Sequence, residues 1–324
     1  MIADNIQNIK PSEKHSNKSY DNDKYLKIEK SAFKNHSLLS DLNEINQIPE
    51  QLYFCGNKKL LDAKKNGSKI LCVIGSRKAT TYGKEAVDYL LAGLAGHNII
   101  IVSGLALGID SCAHKAALKY KIPTITFPGS GLDDEVLYPQ TNIKLLEDII
   151  NSGGAALSEY APDSRSQIYY FPARNRLMAA IADLVLVIEA EDKSGTQITA
   201  RLALDYNKDV AIVPGSIFSS HSRGTAKLFK DGAYPVMSSE DILELLKLNN
   251  TNNQSSLFEE NNNKLFENLT EQEQTILKLI NSPVQKEDLI ENSGLLAHEV
   301  MVSLTNLESK GIVRDNFGEI IRVR

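Results

Sequence analysis

Residues 70–77 read ILCVIGSR and residues 99–110 read IIIVSGLALGID. Each is an apolar run that stops at a Gly/Ser turn, and an amphipathic stretch follows each turn. Working outward, the same grammar repeats from residue 68 to residue 240. Strand-like runs are expected at Ile70–Ile74, Ile99–Val102, Thr124–Phe127, Ala155–Ser158, Leu184–Ile188 and Val210–Val213. Helix-like segments fall near Lys84–Ala95, Asp110–Lys119, Asn142–Ile150, Asn175–Ala182, Ile198–Tyr206 and Thr225–Lys230. Short, continuously apolar strands alternating with helices predict an α/β fold: a doubly wound, Rossmann-type, mainly parallel sheet covered on both faces. Right-handed crossovers then gather every strand-to-helix loop at one edge, where such sheets bind ligands.

Length and composition bound the rest. A chain of 324 residues suits one large domain and one small one. Net charge is −5, from 36 basic and 41 acidic side chains, so any case for nucleic acid has to rest on local placement. Cys55, Cys72 and Cys112 are odd in number and form no CxxC pair, which predicts free thiols in a reducing compartment. No apolar run approaches the ~20 residues of a membrane span, and the N-terminus MIADNIQNIK has no apolar signal core. A cytoplasmic protein is expected. Residues 1–45 are rich in Asn, Ser, Lys and Asp and are expected to be flexible or loosely docked. The main domain is expected over 46–248, followed by an Asn-rich linker over 249–267.

Residues 268–324 predict a second unit. Thr270 and Glu273 have the spacing of a capping box opening the helix Glu271–Asn281. Further helices are expected at Lys286–Glu291 and His298–Lys310, then a hairpin turning at Asp315–Gly318. Three helices and a terminal hairpin make a winged helix. Its six basic residues from Leu269 onward face nine acids, and His298–Lys310 carries little positive charge. That composition favours a protein contact, or one with the rest of its own chain, over duplex DNA.

The six strand ends of the main domain read GSRKAT, SGLALGID, PGSGLD, SEYAPDSRS, EAEDKSGT and PGSIFSSHSRGT. Glycine admits a close backbone approach, and helix starts offer N–H groups to an anion. Any tight turn prefers Gly and Ser, so the argument lies in six such turns on one edge. Arg77 follows the first strand directly, Arg174 and Arg176 flank Asn175, Lys193 lies in DKSGT, and Arg223 in the last loop. Guanidinium groups bind phosphate bidentately and stack on bases. Tyr169, Tyr170 and Phe171 offer stacking faces. The competing reading makes the aromatics core and pairs Arg176 with a carboxylate.

Several chemistries lack their signatures. The chain has no P-loop, no G-x-G-x-x-G spacing and no paired Cys/His set, so neither a cofactor nor a metal is expected. Asp110 and His114 share a helix face as a formal acid/base pair, although a capping Asp110 and a packed His114 account for the same spacing. Glu159 and Glu189 end strands, which leaves a Rossmann-type nucleotide or nucleoside hydrolase as the alternative function.

The ordered series VIGSR…YG, IVSGLALGIDSCAHKAAL, GSGLD…YP…N, LSEY, FPARNR, VLVIEAEDKSGTQITA and VPG…S…GT…L…GA resembles the DprA (Smf) family of DNA-processing proteins over about residues 48–240. The terminal winged helix resembles the one many members carry. The resemblance implies an extended Rossmann fold, sequence-independent binding of single-stranded DNA, homodimerisation, and loading of RecA onto incoming strands in natural transformation, without catalysis. Carried over by position, the DNA-contacting candidates are Gly75, Ser76, Arg77, Ser103, Gly104, Arg174, Asn175, Lys193, Ser194 and Gly195. Two departures stand out. Residues 1–45 are short and polar where many members have a helical SAM-like domain, and Ala226 replaces a usual asparagine.

Overall fold

Alternate residues of each apolar run face opposite sides of one sheet, and both sides are covered. The computed structural model describes residues 24–192, 194–248, 269–280, 284–316 and 318–322, in two compact units divided at Asn249. In chain order the first unit runs β1 (Leu26–Glu29), β2 (Gln51–Gly56), β3 (Lys69–Ile74), α1 (Thr81–Ala92), β4 (Ile99–Ser103), α2 (Ile109–Lys119), β5 (Thr124–Thr126) and α3 (Ile143–Asn151). It continues through β6 (Ala155–Ser158), α4 (Tyr170–Ile181), β7 (Leu184–Val187), α5 (Gly195–Asp205), β8 (Asp209–Ile212), α6 (Arg223–Lys230), β9 (Tyr234–Pro235) and α7 (Ser239–Leu245). All six expected strands are present, with no end shifted by more than one residue. α4 begins at Tyr170 rather than Asn175. Pro172 sits in the first turn, where its missing N–H costs nothing.

The sheet has nine strands in the order β1-β2-β6-β5-β4-β3-β7-β8-β9. From β6 to β9 every pair is parallel, whereas β1 and β2 add antiparallel pairs at one side. Ile70, Cys72, Ile74, Ile100 and Val102 pack toward α4 and α5; Leu71, Val73, Ile99 and Ile101 pack toward α1, α2 and α7. The strands step away from β3 through β4, β5 and β6, then return to its other side at β7. The order therefore reverses between β3 and β7, the topological switch point of a doubly wound sheet.

The expected looseness of residues 1–45 fails from residue 24 onward. Phe33, Leu38, Leu39 and Leu42 are fully buried, and Ile28 and Ile45 nearly so, against the face that also carries α4. Each such burial is worth about 2 kcal/mol. The segment is tied further at Asp41, which accepts from Lys64 Nζ and Lys208 Nζ, each at 2.7 Å. These apolar residues lie in short 3-10 turns, in the loops beside them and in one four-residue edge strand, segments too short for a period to register in the sequence. Residues 1–23 and the expected linker lie outside the described residues.

The second unit contains α8 (Glu271–Leu279), β10 (Val284–Gln285), α9 (Lys286–Asn292), α10 (Ala297–Ser309), β11 (Val313–Asn316) and β12 (Glu319–Arg322). The strands form an antiparallel sheet in the order β10-β12-β11 over a core that includes Ile276, Leu289, Val300, Leu304 and Ile320. The Thr270–Glu273 capping box is complete, and Lys310 Nζ closes on the Glu273 carboxylate at 2.9 Å. Three helices and a hairpin give the winged-helix arrangement. No helix among the described residues is long and apolar enough to cross a membrane.

Candidate nucleic-acid interface

On the β3 side of the switch point the loops after β3 and β4 pack backbone to backbone. The Ile109 N–H donates to the Ser76 carbonyl at 3.1 Å, and a Cβ on Gly108 would overlap the carbonyls of Ser76 and Arg77. Gly108 has φ +81° and Leu105 φ +61°. A buried leucine in the left-handed region is uncommon. It is held by Asn142, whose Nδ2 donates to the Leu105 carbonyl and to Ser111 Oγ, both at 2.8 Å. Gly75 is equally confined, since a Cβ there would come within 2.6 Å of the Ile109 side chain.

Arg77 leaves this junction exposed, with its guanidinium 5.0 Å from the centroid of the Phe171 ring. Phe171 lies over Gly129, where any Cβ would meet the ring, and Tyr138 meets it edge-on at 5.4 Å. Tyr138 is 47% exposed. The three side chains come from the loops after β3 and β5 and from the first turn of α4. Together they form a cationic, aromatic platform above the switch point, suited to a phosphate and a stacked base. Tyr138 was not singled out from sequence; its only signal there is the YP pair after GSGLD.

Arg174 has a different place from the one expected. It is 4% exposed, and its Nη1 donates to the carbonyls of Gly104 and Phe127, knitting the loops after β4 and β5. Burial lowers its pKa, with the nearby Asp110 carboxylate opposing. Asn175 Oδ1 accepts from Arg174 Nε at 2.8 Å. Gly104 is the complement of this arrangement, because a Cβ would displace the guanidinium. Arg174 thus shapes the platform from below. Ser103 is also interior: it is fully buried, and its Oγ donates to the Val73 carbonyl at 2.7 Å, linking β4 to β3.

One strand over, Ser194 and Gly195 open α5 at the same edge. Ser194 Oγ has no partner among the described residues, Gly195 is exposed with open space about it, and the first turn carries no acid. Gln197 Nε2 pins the approach by donating to the carbonyls of Glu191 and Asp192 at 3.0 and 2.7 Å. Lys193 lies outside the described residues. Gly75, Ser76, Arg77, Gly104, Arg174 and Asn175 therefore gather on the β3 side of the switch point, and Ser194 with Gly195, in the loop after β7 and the start of α5, stands on its other side.

The candidate carboxylates are already engaged. Glu159 accepts two bonds from Arg176 Nη2 at 2.7 and 2.9 Å, with both side chains largely buried. Glu189 accepts from the Thr80 N–H at 3.0 Å and from Thr80 Oγ1, fastening the start of α1. Asp110 is buried and pushed upward in pKa by that burial, with Arg174 opposing. His114 is fully buried with Nδ1 2.8 Å from Thr124 Oγ1, and burial brings its pKa down to about 3. Tyr170 stacks on Tyr160 at 3.4 Å and meets Tyr169 edge-on.

Residues 28–247 match the family described as DNA recombination-mediator protein A. The chain is 39% identical over 226 residues to DNA processing protein DprA of Streptococcus pneumoniae, covering 68% of this chain and 77% of that one. Against DNA processing protein DprA of Bacillus subtilis it is 37% identical over 205 residues, 63% and 67% of the two chains. Among solved structures, DNA processing protein A from Helicobacter pylori, studied for its single-stranded DNA binding mode, aligns with a TM-score of 0.57 at 33% identity, over 64% of this chain and 91% of that one. With the motifs, the sheet order and a family match over most of its length in agreement, the chain belongs to the DNA recombination-mediator protein A (DprA, Smf) family.

Proposed function

We propose that this protein is a non-catalytic binder of single-stranded DNA that holds and protects incoming strands at the loop edge of its sheet. As a homodimer it would load RecA onto them during natural transformation or recombination. The observation that carries the reading is Arg77, exposed and seated over Phe171 at the switch point. Phosphates would lie against Arg77, the loop N–H groups and the start of α5. Bases would stack on the aromatic platform, without sequence readout. The RecA and homodimer parts rest on family membership.

The hydrolase alternative finds little support at its own residues. Glu159 is saturated by Arg176, and Glu189 by Thr80. Neither is poised as a base toward an open site.

The test is fluorescence anisotropy of labelled oligo-dT, single- and double-stranded, with the wild type and Arg77→Ala at two salt concentrations. Tight, salt-sensitive, single-strand-selective binding that collapses in the variant is the expected result. Binding indifferent to salt and to Arg77 would overturn it. Release of free base or phosphate from nucleotides, abolished in Glu189→Gln, would establish the hydrolase instead.

A further inference from the structure

The loop after β8 carries two of the three most solvent-exposed large apolar residues among the described residues: Ile217 at 87% and Phe218 at 91%. β8 runs parallel to β7, so this loop leaves from the same sheet edge as Arg77 and Ser194. It is firmly anchored. Tyr82 Oη, on the helix that follows the Arg77 loop, donates to the Pro214 carbonyl at 2.5 Å. The Ala190 N–H donates to the His221 carbonyl and the Gly224 N–H to the Ala190 carbonyl, both at 2.8 Å. At the tip, the Ser219 N–H donates to the Ser216 carbonyl at 3.0 Å, and the Phe218 N–H to Ser216 Oγ at 3.2 Å. Ile217 and Phe218 are therefore the two corner residues of a closed turn, held outward by a fixed base.

The tip leads into a cationic helix. α6 reads RGTAKLFK, with three basic residues and no acid. Arg223, Lys227 and Lys230 are all exposed, at helical spacing on one face, and make no ion pair among the described residues. Ala226, also exposed, leaves that face unobstructed. An anchored aromatic tip followed in the chain by a cationic helix face that makes no ion pair among the described residues offers partners for the two parts of a nucleotide, a π-face and a phosphate. A purely apolar protein partner would have to bury the unpaired charges.

Resting on the single-stranded-DNA reading above, we propose that Phe218, with Ile217 behind it, is a second base-stacking point. It would extend the strand's path from the Arg77–Phe171 platform across the ends of β7 and β8 to Arg223 and Lys227.

The chain contains no tryptophan, so Phe218→Trp introduces a unique reporter. Its indole fluorescence is expected to be quenched by a long oligo-dT over the concentrations at which anisotropy rises. Phe218→Ala is expected to weaken binding of that oligonucleotide by about 5- to 100-fold, with unchanged thermal stability, because Phe218 is 91% exposed. Wild-type binding combined with an unquenched indole and an undiminished Phe218→Ala affinity would overturn this inference and leave the platform reading intact. Failure of the wild type to bind would overturn both. An indole that shifts to the blue with rising protein concentration and no DNA would assign the tip to a second copy of the chain, and would also overturn it.

Discussion

The guanidinium of Arg77 sits 5.0 Å from the centre of the Phe171 ring, joining the loop after β3 to the first turn of α4. The contact fixes a long, flexible cation without spending its hydrogen-bond donors, so the fork remains available to a phosphate. It also orients the ring face that a base would share.

A double-mutant cycle with Arg77→Ala and Phe171→Ala is expected to give a coupling of about 0.5–1 kcal/mol in oligo-dT affinity, the range of an exposed cation–π pair. Arg77→Ala alone should flatten the plot of log K against log salt by about 0.7, one phosphate contact on a single strand. An unchanged slope would remove Arg77 from the phosphate path.

Arg174 is expected to act on stability. Arg174→Met strands the Gly104 and Phe127 carbonyls and removes two charge-assisted bonds from a buried site. Urea unfolding should show a loss of about 3 kcal/mol, and Arg174→Lys should fail to restore it because an ammonium cannot reproduce the planar fork. A fully stable Arg174→Met protein that had lost DNA binding would contradict this placement.

His114 makes stability depend on pH. Burial holds its folded pKa at about 3, below the unfolded value of 6.5, so as pH falls the unfolded chain takes up the proton first. Its contribution is complete above pH 6.5 and is lost progressively as pH falls toward 3. Between pH 7 and pH 5 the loss should be about 2 kcal/mol. Asp110, raised by burial, acts in the opposite sense, so the informative quantity is the difference between wild type and His114→Gln in urea unfolding at the two pH values. Identical pH dependence in the two proteins would refute the assignment.

Much of the fold is legible in the sequence because parallel strands buried on both faces appear as unbroken apolar runs. The strands at Ile99–Ser103 and Leu184–Val187 are the plainest cases. β1 is not legible, since the alternation in LKIE covers only four residues at a sheet margin beside a polar N-terminus. At the site, Arg77 is readable because GSR directly follows a strand. Arg174 is misread because FPARNR announces charge without announcing depth; the glycine at position 104, which makes room for the guanidinium, is the only sequence trace of its burial. Tyr138 and Phe171 meet only through the fold.

Removing residues 250–324 is expected to leave both single-strand and duplex affinity unchanged. In the terminal unit Lys286 pairs with Asp315 and Lys310 with Glu273, and α10 carries exposed Met301 and Val302, with Leu296 exposed just before it. That surface offers a duplex little to hold. A truncated chain that lost duplex affinity, measured by anisotropy, would reassign α10 as a DNA-reading helix.

The nine-stranded sheet ends bluntly on both sides. β1 is four residues long, with Lys27 and Glu29 paired to each other at 2.6 Å, and β9 is two residues long and closes on Pro235, which has no N–H to offer. Charge at one margin and proline at the other deny a template to any further strand. On the single-stranded-DNA reading proposed above, copies lying side by side on one strand would find no open sheet edge among the described residues through which to zip together.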